Sequence, residues 1–183
     1  MAGQSQYQLF ETAAGVAAIG WSGAAVTALR LPAPAASETE RALRRRLPDA
    51  ARAEPPAHIA AVIDAAIHYF DGKQVEFFAV PIDLGEQPSF FVGVYDHVRT
   101  LRWGETTTYG AVARRLGVGP EQSRTVGQAM AANPLPLIIP CHRVMAAGGM
   151  IGGFSAPGGA LSKAHMLRLE GVALAPVQQG FDF

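Results

Sequence analysis

The stretch TTTYGAVARRLGVGPEQSRTVGQAMA, Thr106 to Ala131, decides how the chain is built. After Thr106-Thr107-Thr108-Tyr109, Val112, Ala113 and Leu116 recur at helical spacing and predict one inward face, which Gly117 closes. Gly119-Pro120 reopens the chain, and a further helix is predicted from Glu121 to Ala131, rich in small residues. Helix, short turn and small-residue helix form a helix-turn-helix pattern. Upstream, Phe90, Phe91, Val94 and Val98 form another apolar helical stripe.

The half before Pro88 reads differently. Tyr7 to Phe10, Val16 to Trp21 and Ala25 to Leu31 predict three short strands, with turns at Gly15 and Ser22-Gly23. Ser37-Glu-Thr-Glu40 predicts a capping box, Ser37 being the cap, and a helix that Pro48 stops near Leu47. Within it Arg44-Arg45-Arg46 reads as a solvated helix face rather than a DNA contact. Ala53-Glu-Pro-Pro-Ala57 reads as a loop. Ile59, Val62, Ile63, Ala66, Ile67 and Phe70 predict a second helix ended by Asp71-Gly72, and Val75 to Ile82 a further strand. The fold class is therefore α+β: a sheet-plus-helix scaffold over residues 1–88 and a helical domain over residues 89–183.

The 183 residues suffice for a real core, and nearly half are apolar. Net charge is zero, which argues against a strongly basic nucleic-acid binder. The charge is unevenly spread, however. Residues 1–88 carry seven Lys/Arg against ten Asp/Glu, and residues 89–183 carry eight against five. A modestly basic second half suits a few phosphate contacts, and surface solubility explains it equally well. One cysteine excludes an internal disulfide and fits a reducing compartment. The N-terminus lacks a signal-peptide pattern, and Ala13 to Leu29 is too short and broken to span a bilayer. A cytoplasmic protein with no membrane partner is expected. The histidines and the cysteine have no zinc-ligand spacing, and no phosphate-binding glycine loop or dinucleotide motif occurs, so neither metal nor organic cofactor is expected.

That cysteine, Cys141, lies in Asn133-Pro-Leu-Pro-Leu-Ile-Ile-Pro-Cys-His-Arg-Val144. A strand-like run ending at Pro140 would bring its sulfur to the edge of a packed core, where His142 and Arg143 favour the thiolate, the nucleophilic form. An inert, buried small hydrophobe is the alternative.

Pro140-Cys-His-Arg-Val144 preceded by Asn133-Pro134 resembles the active-site segment of the O6-alkylguanine-DNA alkyltransferases. The resemblance extends through Gly104-Glu-Thr-Thr-Thr-Tyr-Gly110, Ser123-Arg-Thr-Val-Gly127, Gly152-Gly-Phe-Ser155 and Leu167-Arg-Leu-Glu-Gly171, in the family's order. It implies a winged-helix-like C-terminal domain that binds double-stranded DNA through the minor groove and flips out an alkylated guanine. Flipping is a chemical necessity, because the alkylated oxygen lies inside the duplex. The alkyl group would then pass irreversibly to Cys141, O4-alkylthymine being a secondary substrate.

The resemblance also implies residue roles. His142 takes the thiol proton through a water, Glu170 orients the imidazole, and Asn133 braces the turn. Tyr109 crowds the flipped nucleotide's phosphate and donates toward the purine. Arg124 fills the emptied place in the base stack, with Ser123, Thr108 and Ala129 also at the DNA. Pro134, Pro136, Val144, Met145, Phe154 and Ser155 surround the base and alkyl group, Ser155 acting on the O6 side. Arg143 is expected in a structural ion pair. The chain departs from the family in three places. Ala131 and Ala132 stand where many relatives carry a basic residue and glycine, Phe154 replaces a common tyrosine, and the loop Phe154 to Gly159 is slightly longer. A monomer is expected. Two other readings remain open: a non-enzymatic lesion sensor, which typically lacks the acceptor cysteine, and a winged-helix regulator with a structural cysteine.

Overall fold

Hydrophobic residues on both faces of a three-stranded meander organise the first half. The structure, a computed structural model, describes residues 4–175. Strands β1 (Gln6–Thr12), β2 (Gly15–Ser22) and β3 (Ala25–Ala33) pair antiparallel, as their turn residues predict. A fourth, two-residue strand, β4 (Ala51–Arg52), adds parallel to β1 at the edge, giving the order β3-β2-β1-β4. Sequence reading left this segment unassigned, because two exposed residues carry no periodicity.

Helix α1 (Ala36–Arg46) covers one face, where Tyr7, Ala18, Ala28, Leu43 and Ala50 pack together. Helix α2 (Ala57–Phe70) covers the other, over Phe10, Ile19, Trp21 and Leu29. With both faces covered, β2 is buried almost continuously instead of in alternation. The Ser37 capping box does not form. The helix already begins at Ala36, and the carbonyl of Ala35 accepts from the Glu38 and Thr39 amides. Thr39 instead docks the helix, its hydroxyl donating to the Val16 carbonyl at 2.7 Å.

The strand expected from Val75 to Ile82 is also absent. Only an isolated bridge joins Ile82 to Val26. Pro81 lacks a ladder donor, and the Phe77, Phe78 and Val80 carbonyls accept from the Arg99 guanidinium instead of from a neighbouring strand.

In the second half, α3 (Ser89–Arg99), α4 (Tyr109–Arg115) and α5 (Ser123–Ala131) pack through Val94, Tyr95, Val98, Val112, Ala113 and Val126. A 3₁₀ turn at Pro120–Gln122 joins α4 to α5. The strands β5 (Thr107–Thr108) and β6 (Val144–Met145) pair in parallel beside this helix-turn-helix, a reduced wing. Helix α6 (Gly159–Leu169) closes the unit. One buried cluster contains residues of both halves, and the Leu29 amide donates to the Pro134 carbonyl at 3.0 Å. The sheet thereby holds the loop that carries Cys141. No helix among the described residues is long and apolar enough to cross a membrane.

Candidate active site

Leu135 to Pro140 is a tight loop, not the expected strand. Leu137 sits at φ 78°, and the Ile139 amide donates back to the Leu135 carbonyl at 2.8 Å. A left-handed leucine costs about 1–2 kcal/mol, and burial of its side chain, 3 % exposed, offsets that cost. Asn133 spans the loop. Its Nδ2 donates to the Ile139 carbonyl and its Oδ1 accepts from the Leu135 amide, both at 2.9 Å. Cys141 then opens a single 3₁₀ turn, Cys141–Arg143, fixed by donation from the Arg143 amide to the Pro140 carbonyl.

Cys141 is buried, and burial pushes its thiol pKa up, opposed by the Asn133 amide and the Lys163 charge. The expectation that His142 and Arg143 favour the thiolate is thus corrected. Arg143 is turned away into an ion pair, and desolvation of a buried sulfur outweighs the remaining attractions.

Beneath the cysteine lies a buried polar cluster centred on Glu170. Its Oε1 accepts from His142 Nε2 at 2.6 Å, the Tyr69 hydroxyl at 2.7 Å and Arg143 Nη2 at 3.0 Å. Its Oε2 accepts from Arg143 Nε at 2.8 Å and the Gly104 amide at 3.1 Å. Burial alone would raise the carboxyl pKa, but the hydrogen bonds and charges of His142 and Arg143 bring it down to about 2. The carboxylate therefore accepts the Nε2 proton, and the Tyr69 proton is committed to the same oxygen. This assigns the neutral imidazole its proton on Nε2. Nδ1 carries the free lone pair and has no hydrogen-bond partner among the described residues. Burial lowers the His142 pKa against the opposing pull of Glu170, so the ring is neutral and basic at Nδ1 at neutral pH.

Two buried groups, Tyr69 in this cluster and Lys163 outside it, escaped sequence reading. Tyr69 lies at helical spacing from Val62 and Ala66, so the α2 stripe carried its signal, and its edge also meets Trp103 at 5.4 Å. Lys163 shares the spacing i, i+3, i+4, i+7 with Met166, Leu167 and Glu170, the only hint that this lysine faces inward. Its Nζ is fully buried and donates to the Val144 carbonyl at 2.5 Å. The ammonium also lies over the Tyr109 and Phe154 rings at 5.6 and 5.9 Å. Burial brings its pKa down to about 8, against an opposing contribution from Cys141.

Two cavities meet at Cys141. One, of about 660 Å³, is lined by Tyr109, Ser123, Arg124, Gly127 and Gly152 and lies on the recognition-helix side. Gly152, at φ 75°, lets the backbone pass the Tyr109 ring, where a Cβ would stand 3.4 Å from the ring. The other, about 780 Å³, is lined by Asn133, Pro134, Pro136, Ala156 and Pro157 and extends to α1. Met130, Ala131, Phe154 and Ser155 line both, and the Ser155 hydroxyl donates to the Ala131 carbonyl at 3.2 Å.

Three expected site residues are buried, and a fourth, the half-buried Thr108, has a capping role. Ala129 is fully buried on the packing face of α5, its carbonyl accepting from Tyr95, so its side chain cannot meet DNA. The Thr108 hydroxyl caps α4 by accepting from the Ala111 amide at 3.1 Å. Val144 and Met145 are buried and line neither cavity, because pairing with β5 turns them into the core. Among the described residues no cluster of His, Cys, Asp or Glu is placed to hold a metal ion.

Comparison with known proteins gives this geometry a context. Residues 89–172 match the family profile described as 6-O-methylguanine DNA methyltransferase, DNA binding domain. The methylated-DNA–protein-cysteine methyltransferase of Metallosphaera sedula is 44% identical over 104 residues, covering 57% of this chain and 62% of the relative. That of Methanothermobacter thermautotrophicus is 38% identical over 120 residues, covering 66% of this chain and 65% of the relative. The matches thus span somewhat less than two thirds of these relatives. The crystal structure of Mycobacterium tuberculosis O6-methylguanine methyltransferase is similar along nearly its whole length. It has a TM-score of 0.71 and 31% identity, over 95% of this chain and 96% of the other. The Mycobacterium tuberculosis OGT structure in complex with DNA has a TM-score of 0.71 and 32% identity, over 90% and 92% of the two chains.

Proposed function

The chain belongs to the O6-methylguanine DNA methyltransferase family, and from that premise we propose that it repairs DNA by transferring the O6-alkyl group of guanine to Cys141. The observation that carries the proposal is the junction at Cys141. A lone buried thiol stands where two cavities meet, directly followed in the chain by a histidine held in one tautomer by a buried carboxylate.

The chemistry follows from the raised thiol pKa. A neutral thiol must lose its proton as it attacks, and the base must be neutral beforehand. His142 Nδ1 has the free lone pair, and a water between sulfur and ring carries the proton across. Glu170 then stabilises the imidazolium. The Sγ–C bond forms as the C–O6 bond breaks, and the electron pair leaves on the purine. The Tyr109 hydroxyl, which bounds the smaller cavity, donates toward that developing charge, and so does Ser155, by its backbone amide or by its hydroxyl once turned from the Ala131 carbonyl. The thioether has no hydrolytic route back, so each molecule acts once. Every atom of the reaction comes from thiol and lesion, and no cofactor enters.

The DNA partner is a duplex with an alkylated guanine, gripped through the minor groove by the helix-turn-helix. Arg124, exposed in the first turn of α5 at the mouth of the smaller cavity, fills the gap left by the flipped base. Replacing Arg124 with alanine is expected to slow repair of duplex by roughly ten- to a hundredfold, the loss of a few kcal/mol of stacking compensation. Transfer from free O6-benzylguanine should be unchanged in that variant, because nothing needs flipping. Equal losses on both substrates would remove Arg124 from this role.

Residues 1–88 serve as a buttress, residues 89–183 as the DNA-binding and acceptor unit. A cytoplasmic, reducing location suits an acceptor that must remain a thiol. The experiment that tests the proposal is a titration of protein against duplex containing O6-methylguanine. Guanine should be restored in proportion to protein, ending at one lesion per molecule. Turnover beyond one equivalent, or no restoration, would overturn it.

A further inference from the structure

The larger cavity carries a charge pattern that methyl transfer does not use. From Cys141 it runs past Pro136, Phe154 and Ser155 to the sheet and α1, where Arg30, Arg45 and Arg46 line it. No Asp or Glu lines it. Among the described residues the ion pairs are those of Glu170 with His142 and Arg143, and none of these three arginines pairs with a described carboxylate. Arg46 donates to the Thr27 and Leu84 carbonyls, and Arg30 to those of Leu29 and Ala42. Both guanidiniums are thus held in place by backbone. Burial, and then the charges of Arg46 and Arg45, push the Arg30 guanidinium below its ordinary range. Arg45 is exposed and, among the described residues, pairs with no carboxylate. Like charges gathered at one end of a cavity repel one another unless an anion joins them.

The volume sharpens the point. A methyl group needs only the few ångströms around the sulfur, whereas this cavity holds about 780 Å³. Its near part, with Pro134, Pro136 and Phe154, is apolar and suits an alkyl chain. Its far part is cationic. An adduct complementary to both has a short methylene chain ending in an anion.

We propose that this end of the cavity is a specificity subsite, in which Arg45, with Arg30 and Arg46, receives the carboxylate of O6-carboxyalkyl adducts. The inference rests on the alkyl-transfer reading given above. The transfer itself is the same: Sγ bonds the first methylene as its bond to O6 breaks, and the thiol proton goes to His142. The electron pair leaves on guanine, which takes up a proton, and the carboxylate rides unchanged into the thioether. A phosphate of the DNA backbone is the competing source of anion. It differs in one respect: it is present whatever the adduct.

Single-turnover transfer rates are measured on three duplexes, bearing O6-methylguanine, O6-carboxypropylguanine and the uncharged amide counterpart of the latter. Wild type is compared with Arg45→Gln and Arg45→Glu. Arg45 is exposed, so the variants fold, and the O6-methylguanine rate serves as the check. The ratio of carboxylate to amide rates is expected to fall about fivefold in Arg45→Gln, the scale of one exposed ion pair, and further in Arg45→Glu. The O6-methylguanine rate should stay constant. A ratio that does not change, or a wild type that repairs the methyl lesion but neither longer adduct, would overturn the subsite. Equal losses on all three duplexes would assign the arginines to DNA phosphate and overturn it too. Absence of methyl transfer in wild type would instead remove the underlying reaction, and the subsite with it.

Discussion

Cys141→Ser is expected to yield a folded protein that still binds lesion-bearing duplex and transfers no alkyl group. Serine matches cysteine in shape, so the loop braced by Asn133 and the 3₁₀ turn should persist. The chemistry does not. The burial that raises the thiol pKa acts on an alkoxide too, from a far higher starting point, and a neutral hydroxyl is a far poorer nucleophile toward an alkyl carbon than sulfur. In the proposed mode, binding runs through Arg124 and the α5 face, and the substitution removes neither. Lesion digestion together with fluorescence anisotropy separates the two properties. Residual transfer by the serine variant would place the acceptor elsewhere.

Glu170→Gln is expected to damage stability and rate together. The carboxylate accepts five hydrogen bonds, from His142, Tyr69, Arg143 twice and the Gly104 amide. Glutamine presents one oxygen and an amide that faces the remaining donors. Arg143, 4 % exposed, is left charged without its partner. Breaking such a buried pair costs about 3–5 kcal/mol. For a chain of this length that corresponds to a drop of very roughly 10 °C in melting temperature. The imidazole also loses the acceptor that fixes its tautomer, and transfer should slow on the order of a hundredfold or more. Thermal unfolding and single-turnover rates measured on one preparation check both parts. A variant with wild-type melting and rate would show that the cluster only fills space.

The same cluster dictates an acid limit. Glu170 titrates at about 2 in the fold against an ordinary value of 4.5, so its contribution is fully present above pH 4.5 and is lost as pH falls toward 2. His142 adds an earlier loss. Its folded pKa lies below the ordinary 6.5, so the unfolded chain binds that proton first and stability begins to erode below pH 6.5. In Glu170→Gln the component lost between pH 4.5 and 2 disappears.

Much of this was legible in residues. The meander was readable because Gly15 and Ser22-Gly23 separate apolar runs of strand length. Helices α2 to α5 were readable because Ile59 to Phe70, Phe90 to Val98 and Thr106 to Ala131 keep helical period between Gly and Pro. Where one group decided against its local signal, reading failed. Arg99 draws off the carbonyls of Phe77, Phe78 and Val80, and no pattern within Val75 to Ile82 announces a guanidinium from α3. Leu135 to Ile139 looks like a strand, yet Asn133 bonds both ends of it and bends it.

At the site, Cys141, His142, Asn133 and Glu170 were marked by the resemblance to the alkyltransferase motifs, and the fold brings His142 onto Glu170 and braces the Cys141 loop with Asn133. The resemblance could not name Tyr69, which arrives from α2, seventy-odd positions before His142 in the chain. Nor could it orient Lys163, whose type favours the surface until helical spacing sets it beside Met166 and Leu167. Ala129 and Val144 show the opposite error. Val144 lies within a matching motif and Ala129 just beyond one, yet strand pairing and helix packing turn both inward.

The central claim is that Cys141 itself becomes alkylated. Intact mass and peptide mapping after incubation with duplex containing O6-methylguanine test it most directly. The account predicts one methylene unit of added mass on the peptide carrying Cys141, guanine restored in the DNA, and no reaction beyond one equivalent. An unmodified Cys141 after demonstrated lesion binding would contradict it and leave a protein that senses alkylated guanine without repairing it.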